Sequence, residues 1–384
     1  SLFTSSIRLQ RANSDTFLTK SPLPKFINSF KRYDFKSAQS IIKDSIEGFC
    51  GFTYNNKDLD NLKYNSGTEI NLYHSWETSW HTICNIDTSN KTIIFKNPST
   101  YPVGFFSNHL RYIVENSIQF LSKPGRWYLD IENGELYYYA NLGENPNNMF
   151  FIIPKLQELI SLKGNPSQLV NNISFFKINF THTTIPSGIH EVASATKIPN
   201  ADYFPCLDLQ EGFSSLQAAL GAGQSILLKY ANNCSFVKCG FTQLGNYAIR
   251  IGEYSIHNTI LQCNINDCSG GGVLIGFDNC FISINSYKEN SKTYVTSDRK
   301  YTVNRNLPVK IAPSYNLVRG CSIYNCGLYF TSSVGIGLMQ AHHNRIENNT
   351  ICDLPYSGIS VGWDYDFKDN FTSYNSIKNN TIHD

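Results

Sequence analysis

Two aspartates occupy corresponding places in the chain, each two residues beyond a short apolar segment. Asp278 follows residues 272–276, and Asp364 follows residues 358–362. If these segments are strands two coils apart in a stack, the two carboxylates lie about 10 Å from one another, since each coil adds about 4.8 Å. Glycoside hydrolysis by inversion uses two carboxylates roughly 6.5–9.5 Å apart. The spacing lies near the inverting range, so Asp278 and Asp364 are the candidate catalytic pair; two solvated loop carboxylates are the alternative interpretation.

Asp353 forms a second candidate pair with Asp384. Both residues end related motifs, which read Asn-Thr-Ile-Cys-Asp and Asn-Thr-Ile-His-Asp. One coil of separation brings their carboxylates to about 4.8 Å, close to the roughly 5–5.5 Å of retaining enzymes. An Asp directly after a strand also accepts hydrogen bonds from its own backbone in an Asx-turn. A structural role for Asp353 is therefore the alternative.

Aromatic and polar residues near these aspartates could contact a sugar. Trp363 and Tyr365 could form a stacking platform, because an aromatic side chain presents an apolar face with a polar handle; packing over the end of a coil is the alternative. His342 could serve as an acid or base, because an unperturbed histidine has a pKa near about 6.5; a surface turn residue is the alternative. The predicted substrate-binding residues are Trp363, Tyr365, Tyr356, Arg250, Glu253, Gln340 and His342.

The segments that position these residues belong to an internal repeat. The repeat begins at Cys234, Cys263, Cys321, Asn349 and Asn380, with spacings of 29, 58, 28 and 31 residues. The spacing of 58 is either two coils or one coil with a long insertion. Apolar residues alternate with small or polar ones in the second segment of each repeat, which is typical of strands. Short strands at a regular spacing predict an all-β solenoid.

Stacking of the coils predicts columns of equivalent side chains. The second segments of successive repeats predict two such columns. One contains Ile249, Val273, Ile336 and Ile359, and the other contains Ile251, Ile275, Leu338 and Val361. Asparagines at residues 348–349 and 379–380 predict a ladder of stacked amides. A further inward column is predicted to contain Phe175, Phe236, Ile265, Ile323, Ile351 and Ile382.

The cysteines form two further columns in the same alignment. One is predicted to contain Cys234, Cys263 and Cys321, and the other Cys239, Cys268 and Cys326. Residues five positions apart in a strand point to opposite faces, which separates the two thiols of each Cys-x4-Cys motif, so we expect no metal and no cofactor. Free thiols in a core ladder are the favoured interpretation. Disulfides between neighbouring coils are the alternative.

The first half of the chain differs from the repeat. The sequence RWYLDIENGELYYY predicts two strands joined by a type I′ turn at Asn133-Gly134. We expect a mainly β N-terminal or inserted module at residues 1–160 and the solenoid at residues 161–384. Loop insertions are expected at about 185–225 and 285–310, and we expect the solenoid to continue beyond Asp384.

Composition limits the possible functions. The net charge is +2, and no basic stripe suggests a nucleic-acid partner. No apolar run is long enough for a transmembrane helix. Seven Asn-x-Ser/Thr sequons and eleven cysteines favour a secreted or cell-surface glycoprotein. We expect a monomer that binds a polysaccharide or glycan.

Several motifs add a family resemblance that covers nearly the whole chain. The sequences PGRWYLD, GELYYY, NNISFFKINFTHT and YSGISVGW resemble those of β-helix proteins related to glycoside hydrolase family 141. The resemblance implies a right-handed parallel β-helix of the pectin-lyase-like type with an inserted β-module. It also implies activity on glycans, with fucosidase-like or xylanase-like members. A non-catalytic carbohydrate-binding or structural surface protein remains the alternative.

The chain departs from the family pattern in two places. Asp364 and Tyr365 stand where the family tends to continue with Gly-Trp. In addition, the carboxylate-bearing coils of the family follow the equivalent of NNTIHD, which comprises residues 379–384 of this chain. The resemblance therefore implies that the catalytic pair lies beyond Asp384.

Overall fold

The chain folds as an all-β, right-handed parallel β-helix. A computed structural model describes residues 1–4, 7–23, 46–55, 58–97, 99, 103–104, 107, 109–185, 213–215, 217–276, 292–296, 299–303, 311–362 and 371–384. The helices in this part of the chain are short 3-10 segments, at Ile46–Phe49, Ile118–Phe120, Pro146–Asn148 and Gln217–Ala222. None of the described helices has the length and apolar character needed to cross a membrane.

Three six-stranded parallel sheets form the walls of the solenoid. Sheet A contains Ile160–Lys163, Gln224–Lys229, Tyr247–Ile251, Val273–Gly276, Ile336–Met339 and Ile359–Gly362. Sheet B contains Ser174–Phe176, Ser235–Val237, Thr259–Leu261, Leu317–Arg319, Arg345–Glu347 and Ser376–Lys378. Sheet C contains Asn179–Thr181, Gly240–Leu244, Asn264–Cys268, Ser322–Cys326, Thr350–Cys352 and Thr381–Ile382. Val170–Asn171 and Ala231–Asn232 form a two-stranded parallel pair.

The register of sheet A confirms the two columns predicted for it. Val273 lies between Ile249 and Ile336, and the column continues to Ile359. Most of these side chains are fully buried in the core of the solenoid. Burial of one such side chain contributes about 1.5–3 kcal/mol, and each coil depends on its neighbours for that burial.

The predicted column from Phe175 to Ile382 is wrong, because it joins residues of two different sheets. Phe236 lies opposite Ile260 in sheet B, whereas Ile265 lies opposite Phe241 in sheet C. Each coil carries two similar strands, such as SFV in sheet B and GFT in sheet C, and the sequence alignment matched one to the other. A left-handed residue, Lys238 with φ of 54°, forms the corner between them.

The same register settles the length of the coils. Ser235 pairs with Thr259, so this coil has 24 residues rather than the predicted 29. Thr259 pairs directly with Leu317, so the spacing of 58 is one coil with a long insertion. Within this insertion, Lys292–Thr296 and Arg299–Val303 form an antiparallel hairpin.

The strand register also decides which cysteines lie level with one another. Cys268 pairs with Cys326, and Cys263 and Cys321 precede paired strands. Two cysteines depart from the prediction. The backbone N–H of Cys234 donates to the Asn258 side chain, so Cys234 begins a different column. Cys239 precedes the strand that pairs with the one after Cys263, so it lies in the column of Cys263 rather than that of Cys268. The cysteines of these columns are free thiols.

Asparagine ladders run beside the thiols. Asn349 donates to Asn380 Oδ1 at 2.9 Å, which confirms that ladder. A second ladder, which the sequence analysis missed, runs through Asn258, Asn316, Asn344 and Asn375.

The N-terminal half contains an antiparallel sheet whose pairings close into a ring. An additional edge strand, Phe213–Ser215, pairs with residues 78–80 of this ring. Its apolar core is separate from that of the solenoid. The ring contains Phe17–Pro22, Gly51–Tyr54, Glu69–Tyr73, Thr78–Asp87, Thr92–Phe95 and Arg111–Glu115.

Two small sheets complete this half. Phe3–Thr4 pairs with Ile7–Arg8 and Phe151–Ile152. The predicted hairpin consists of Arg126–Asp130 and Glu135–Tyr138. A third strand, Gln10–Arg11, pairs in parallel with the first strand of this hairpin.

The predicted type I′ turn of that hairpin is wrong. Asp130 pairs with Glu135, so the loop has four residues. The Asp130 carboxylate accepts hydrogen bonds from the backbone N–H groups of Glu132 and Asn133, and this Asx-type contact replaces the tight turn.

Contacts between the closed sheet and the solenoid hold the two parts together. The Trp80 ring stacks on Tyr329 with centroids 4.7 Å apart, and Ser215 shares a hydrogen bond with Ser332. The Arg8 guanidinium pairs with the Asp267 carboxylate at 2.6 Å. The predicted boundary near residue 160 stays a prediction.

Candidate functional site

A cavity of about 350 Å³ lies between the closed sheet and the solenoid. One wall belongs to a hairpin turn of the closed sheet, and the opposite wall belongs to turns of the solenoid. The lining residues are Thr16, Tyr73, His74, Ser75, Trp76, Glu77, Thr78 and Arg111 on the first side, and Thr331, Ser332, Pro355 and Tyr356 on the second.

The hairpin turn places a carboxylate and an imidazole side by side. The backbone N–H of His74 donates to the Glu77 carbonyl at 2.9 Å and closes the turn. His74 Nε2 lies 4.0 Å from Glu77 Oε1, and the two side chains are 2% and 0% exposed. The residues HSWE form this turn, and the strand that follows begins at Thr78.

A buried hydrogen-bond chain continues behind His74. His74 Nε2 lies 2.9 Å from Ser79 Oγ, and His81 Nε2 lies 2.7 Å from the same oxygen. His81 Nδ1 lies 2.9 Å from the Asn97 carbonyl oxygen. Burial lowers the pKa of His74 to about 3, with nearby His81 as a smaller cause. Burial also lowers the pKa of His81 to about 4, so both imidazoles are neutral near pH 7.

A charged cluster supports the other side of the turn. The Arg111 guanidinium lies 5.4 Å from the Tyr73 ring centroid, and the two residues are cross-strand partners. Glu115 and Glu69 are also cross-strand partners and share the Arg11 guanidinium. Burial raises the pKa of Glu115, and Arg11 opposes this shift. The cluster fixes the strands that carry Tyr73 and Arg111.

The solenoid supplies Tyr356 and two hydroxyl residues to the cavity. The Tyr356 hydroxyl accepts a hydrogen bond from Gln217 Nε2 at 2.8 Å. Thr331 Oγ1 lies 2.7 Å from Thr78 Oγ1, which connects the two walls directly. Hydroxyl, carboxylate, imidazole and guanidinium groups thus face one small space. Such a set of donors and acceptors suits a polyhydroxylated ligand.

Four predicted site residues lie outside the described residues. They are the catalytic candidates Asp278 and Asp364 and the substrate-binding candidates Trp363 and Tyr365.

Of the other predicted residues, only Tyr356 lines the cavity. Asp353 is an exposed residue in a left-handed turn, and its carboxylate accepts a contact from the neighbouring Cys352 thiol. Its Asx-turn interpretation and its catalytic interpretation both stay predictions. His342 is largely buried, with Nδ1 2.9 Å from His343 Nδ1.

The three predicted residues of sheet A and its following turn lie away from this lining. Glu253 pairs with Lys229 at 3.1 Å. Gln340 accepts a hydrogen bond from the backbone N–H of Phe371 at 2.8 Å. Arg250 is 1% exposed and donates to the Leu220 carbonyl, because the segment Gln217–Ala222 covers it. Arg250 is therefore buried beneath this segment rather than exposed on a surface where a substrate could contact it.

The sequence analysis missed His74, Glu77 and Arg111. Its search followed the repeat, and these residues belong to the part of the chain without a repeat. A usable signal was present in HSWE, which places two titratable residues in a short link between strand patterns. A search of the described residues finds no group of three His, Cys, Asp or Glu side chains arranged to hold a metal.

Comparisons with known proteins agree on the fold. The family model of the right-handed β-helix region matches residues 294–384. A solved structure described as a glycoside hydrolase aligns with a TM-score of 0.66 and 17% sequence identity. The alignment covers 96% of this chain and 61% of the other, so this chain spans about three fifths of that protein. No curated protein matches the sequence.

Proposed function

We propose that this is a carbohydrate-active β-helix protein, a glycoside hydrolase that acts on polysaccharide or on fucosylated or xylan-type glycans. We place its glycan site in the cavity between the closed sheet and the solenoid. The observation that carries the proposal is that Glu77, His74 and Tyr356 line the same cavity, with Glu77 and His74 side by side. The likeness to a glycoside hydrolase and the family 141 motifs support the substrate class.

Glu77 is the proposed source of one carboxylate for the reaction. It is the acidic residue that lines the cavity within the described part of the chain. In glycoside hydrolysis one carboxyl group commonly protonates the oxygen of the leaving group, and Glu77 is the proposed residue for that role. Asp278 and Asp364 stay sequence-based candidates for the second carboxylate. Secretion to the cell exterior, where polysaccharides are found, belongs to the same proposal.

The test is sugar release by the full-length protein from a panel of fucosylated glycans and xylans. We expect release by the wild type and a rate about 10²–10⁴-fold lower for Glu77→Gln, since this is the usual contribution of a general acid or base. Glu132→Gln is the matched control, because Glu132 is exposed and does not line the cavity. Full activity of Glu77→Gln would contradict the assignment of Glu77.

A non-catalytic carbohydrate-binding protein is the second candidate. It is favoured by the presence of a single carboxylate among the described lining residues, since hydrolysis commonly uses two. This candidate predicts glycan binding without turnover, and binding that survives both Asp278→Asn and Asp364→Asn. A purely structural surface protein predicts no glycan binding.

A further inference from the structure

We propose that a buried hydrogen-bond chain locks His74 in the neutral tautomer with its proton on Nε2. His74 Nδ1 is then a fixed acceptor for a hydroxyl group of the ligand in the cavity. The second part rests on the proposed function, because it assumes that a glycan occupies this cavity. His81, Ser79 and Asn97 are positioning residues in this proposal, since they act on the ligand only through His74.

The donor and acceptor at each hydrogen bond are fixed by Asn97, the residue at the end of the hydrogen-bond chain away from the cavity. The Asn97 carbonyl oxygen can only accept a hydrogen bond, and His81 Nδ1 lies 2.9 Å from it. The proton of His81 must therefore be on Nδ1. Asn97 Nδ2, which donates one proton to the Trp80 carbonyl, also lies 3.2 Å from this nitrogen. The carbonyl oxygen is the nearer group, and an unprotonated Nδ1 would place two lone pairs against each other at 2.9 Å.

The remaining two steps follow from the number of protons available. A neutral imidazole with its proton on Nδ1 has an acceptor at Nε2. Ser79 Oγ lies 2.7 Å from His81 Nε2, so the Ser79 hydroxyl donates its one proton there. The same oxygen lies 2.9 Å from His74 Nε2, and it can then only accept. His74 therefore donates from Nε2 and keeps its lone pair at Nδ1.

Burial keeps both rings neutral, as this assignment requires. His74, Ser79, His81 and Asn97 are all buried, and burial lowers the pKa of each histidine. The charged groups close to His74 are few. Glu77 Oε1 lies 4.0 Å from Nε2, and Arg111 lies over Tyr73 on the neighbouring strand. The cation and the anion have opposite effects on an imidazolium.

The free lone pair has a direct consequence for the ligand. His74 lines the cavity, and the hydrogen bonds of its ring within the described residues involve Nε2. A lone pair at Nδ1 requires a hydrogen-bond donor on the ligand. A sugar hydroxyl satisfies this part of the cavity, whereas a sugar carboxylate would place oxygen lone pairs against it.

Histidine ring spectra of the full-length wild-type protein provide the direct test. Two-bond ¹H–¹⁵N correlations distinguish the two neutral tautomers and the cation for each of the nine histidines. Signals are assigned by their loss in His74→Gln and His81→Asn, which retain an amide donor near the replaced N–H. We expect the Nε2–H form for His74 and the Nδ1–H form for His81 between pH 6 and 8. An Nδ1–H form or a cation at His74 would overturn the proposal.

Glycan binding by His74→Gln tests the role of Nδ1. Gln can still donate to Ser79, but it offers no acceptor at the position of Nδ1. We expect binding to weaken roughly three- to tenfold, which is the usual effect of one lost hydrogen bond. Unchanged affinity would overturn the acceptor role. If the wild type binds no glycan, the proposed function fails; a wrong tautomer with intact glycan binding overturns only this inference.

Discussion

His74 and His81 show how burial changes the chemistry of single residues. Both rings are buried, His81 in a strand of the closed sheet and His74 in the adjoining turn, and a short chain of hydrogen bonds through Ser79 connects them. Their pKa values fall to about 3 and about 4 for that reason. The sequence analysis could not find this chain, since residues 74, 79, 81 and 97 meet only after the strands pair. It did name Tyr356, which lines the cavity and lies beside a recognisable repeat, and the substrate-binding role of Tyr356 stays a prediction.

The lowered pKa values predict acid sensitivity of the fold. An unfolded histidine has a pKa near about 6.5, so the unfolded state binds protons first as the pH falls. The stability that these residues contribute is present above about pH 6.5 and is lost as the pH falls toward their folded pKa values. Between pH 7 and pH 5 we expect a loss of about 1–2 kcal/mol per histidine in the free energy of unfolding.

Denaturant unfolding of the wild type and His81→Asn across this pH range measures the loss. The variant is expected to show a shallower pH dependence, even if it is less stable at pH 7. His257→Gln is the control, because His257 is exposed, and its pH dependence should match that of the wild type. A pH dependence that His81→Asn leaves unchanged would contradict the burial account.

The strands show which parts of a repeat can be read from sequence. The alternation of apolar residues predicted the strands of sheet A, and their register confirms the columns that include Val273 and Ile275. The columns of sheets B and C could not be separated in the same way. Their strands have similar sequences and are joined by a corner of two residues, at Lys238 and Cys239. Only hydrogen-bond pairing distinguishes the two alignments.

The missed asparagine ladder allows a test of this register. Asn316 is fully buried, and its Oδ1 accepts from both the backbone and the side chain of Asn258. Asn316→Ala should lower the free energy of unfolding by about 2–4 kcal/mol, because it leaves buried groups without partners. Ser322→Ala is the matched control on the exposed side of sheet C and should change stability by less than about 0.5 kcal/mol. Equal effects of the two changes would contradict the assigned register.

At the scale of the whole molecule, the candidate site exists because two parts of the chain meet. The Trp80–Tyr329 stack and the Thr78–Thr331 contact bring the hairpin turn to the solenoid. The all-β class and the solenoid were predictable, because each coil repeats similar residues that can be recognised in the sequence. The meeting of the two parts was not predictable, because contacts such as these join residues about 250 positions apart without any shared pattern.

The most direct test of the central claim is a crystal structure of Glu77→Gln with an oligosaccharide that the wild type cleaves. We predict a sugar ring in the cavity, between the turn formed by His74 and Glu77 and the ring of Tyr356. A sugar bound only elsewhere, for example on the turn beside Glu253 and Gln340, with the cavity left to solvent, would contradict the account.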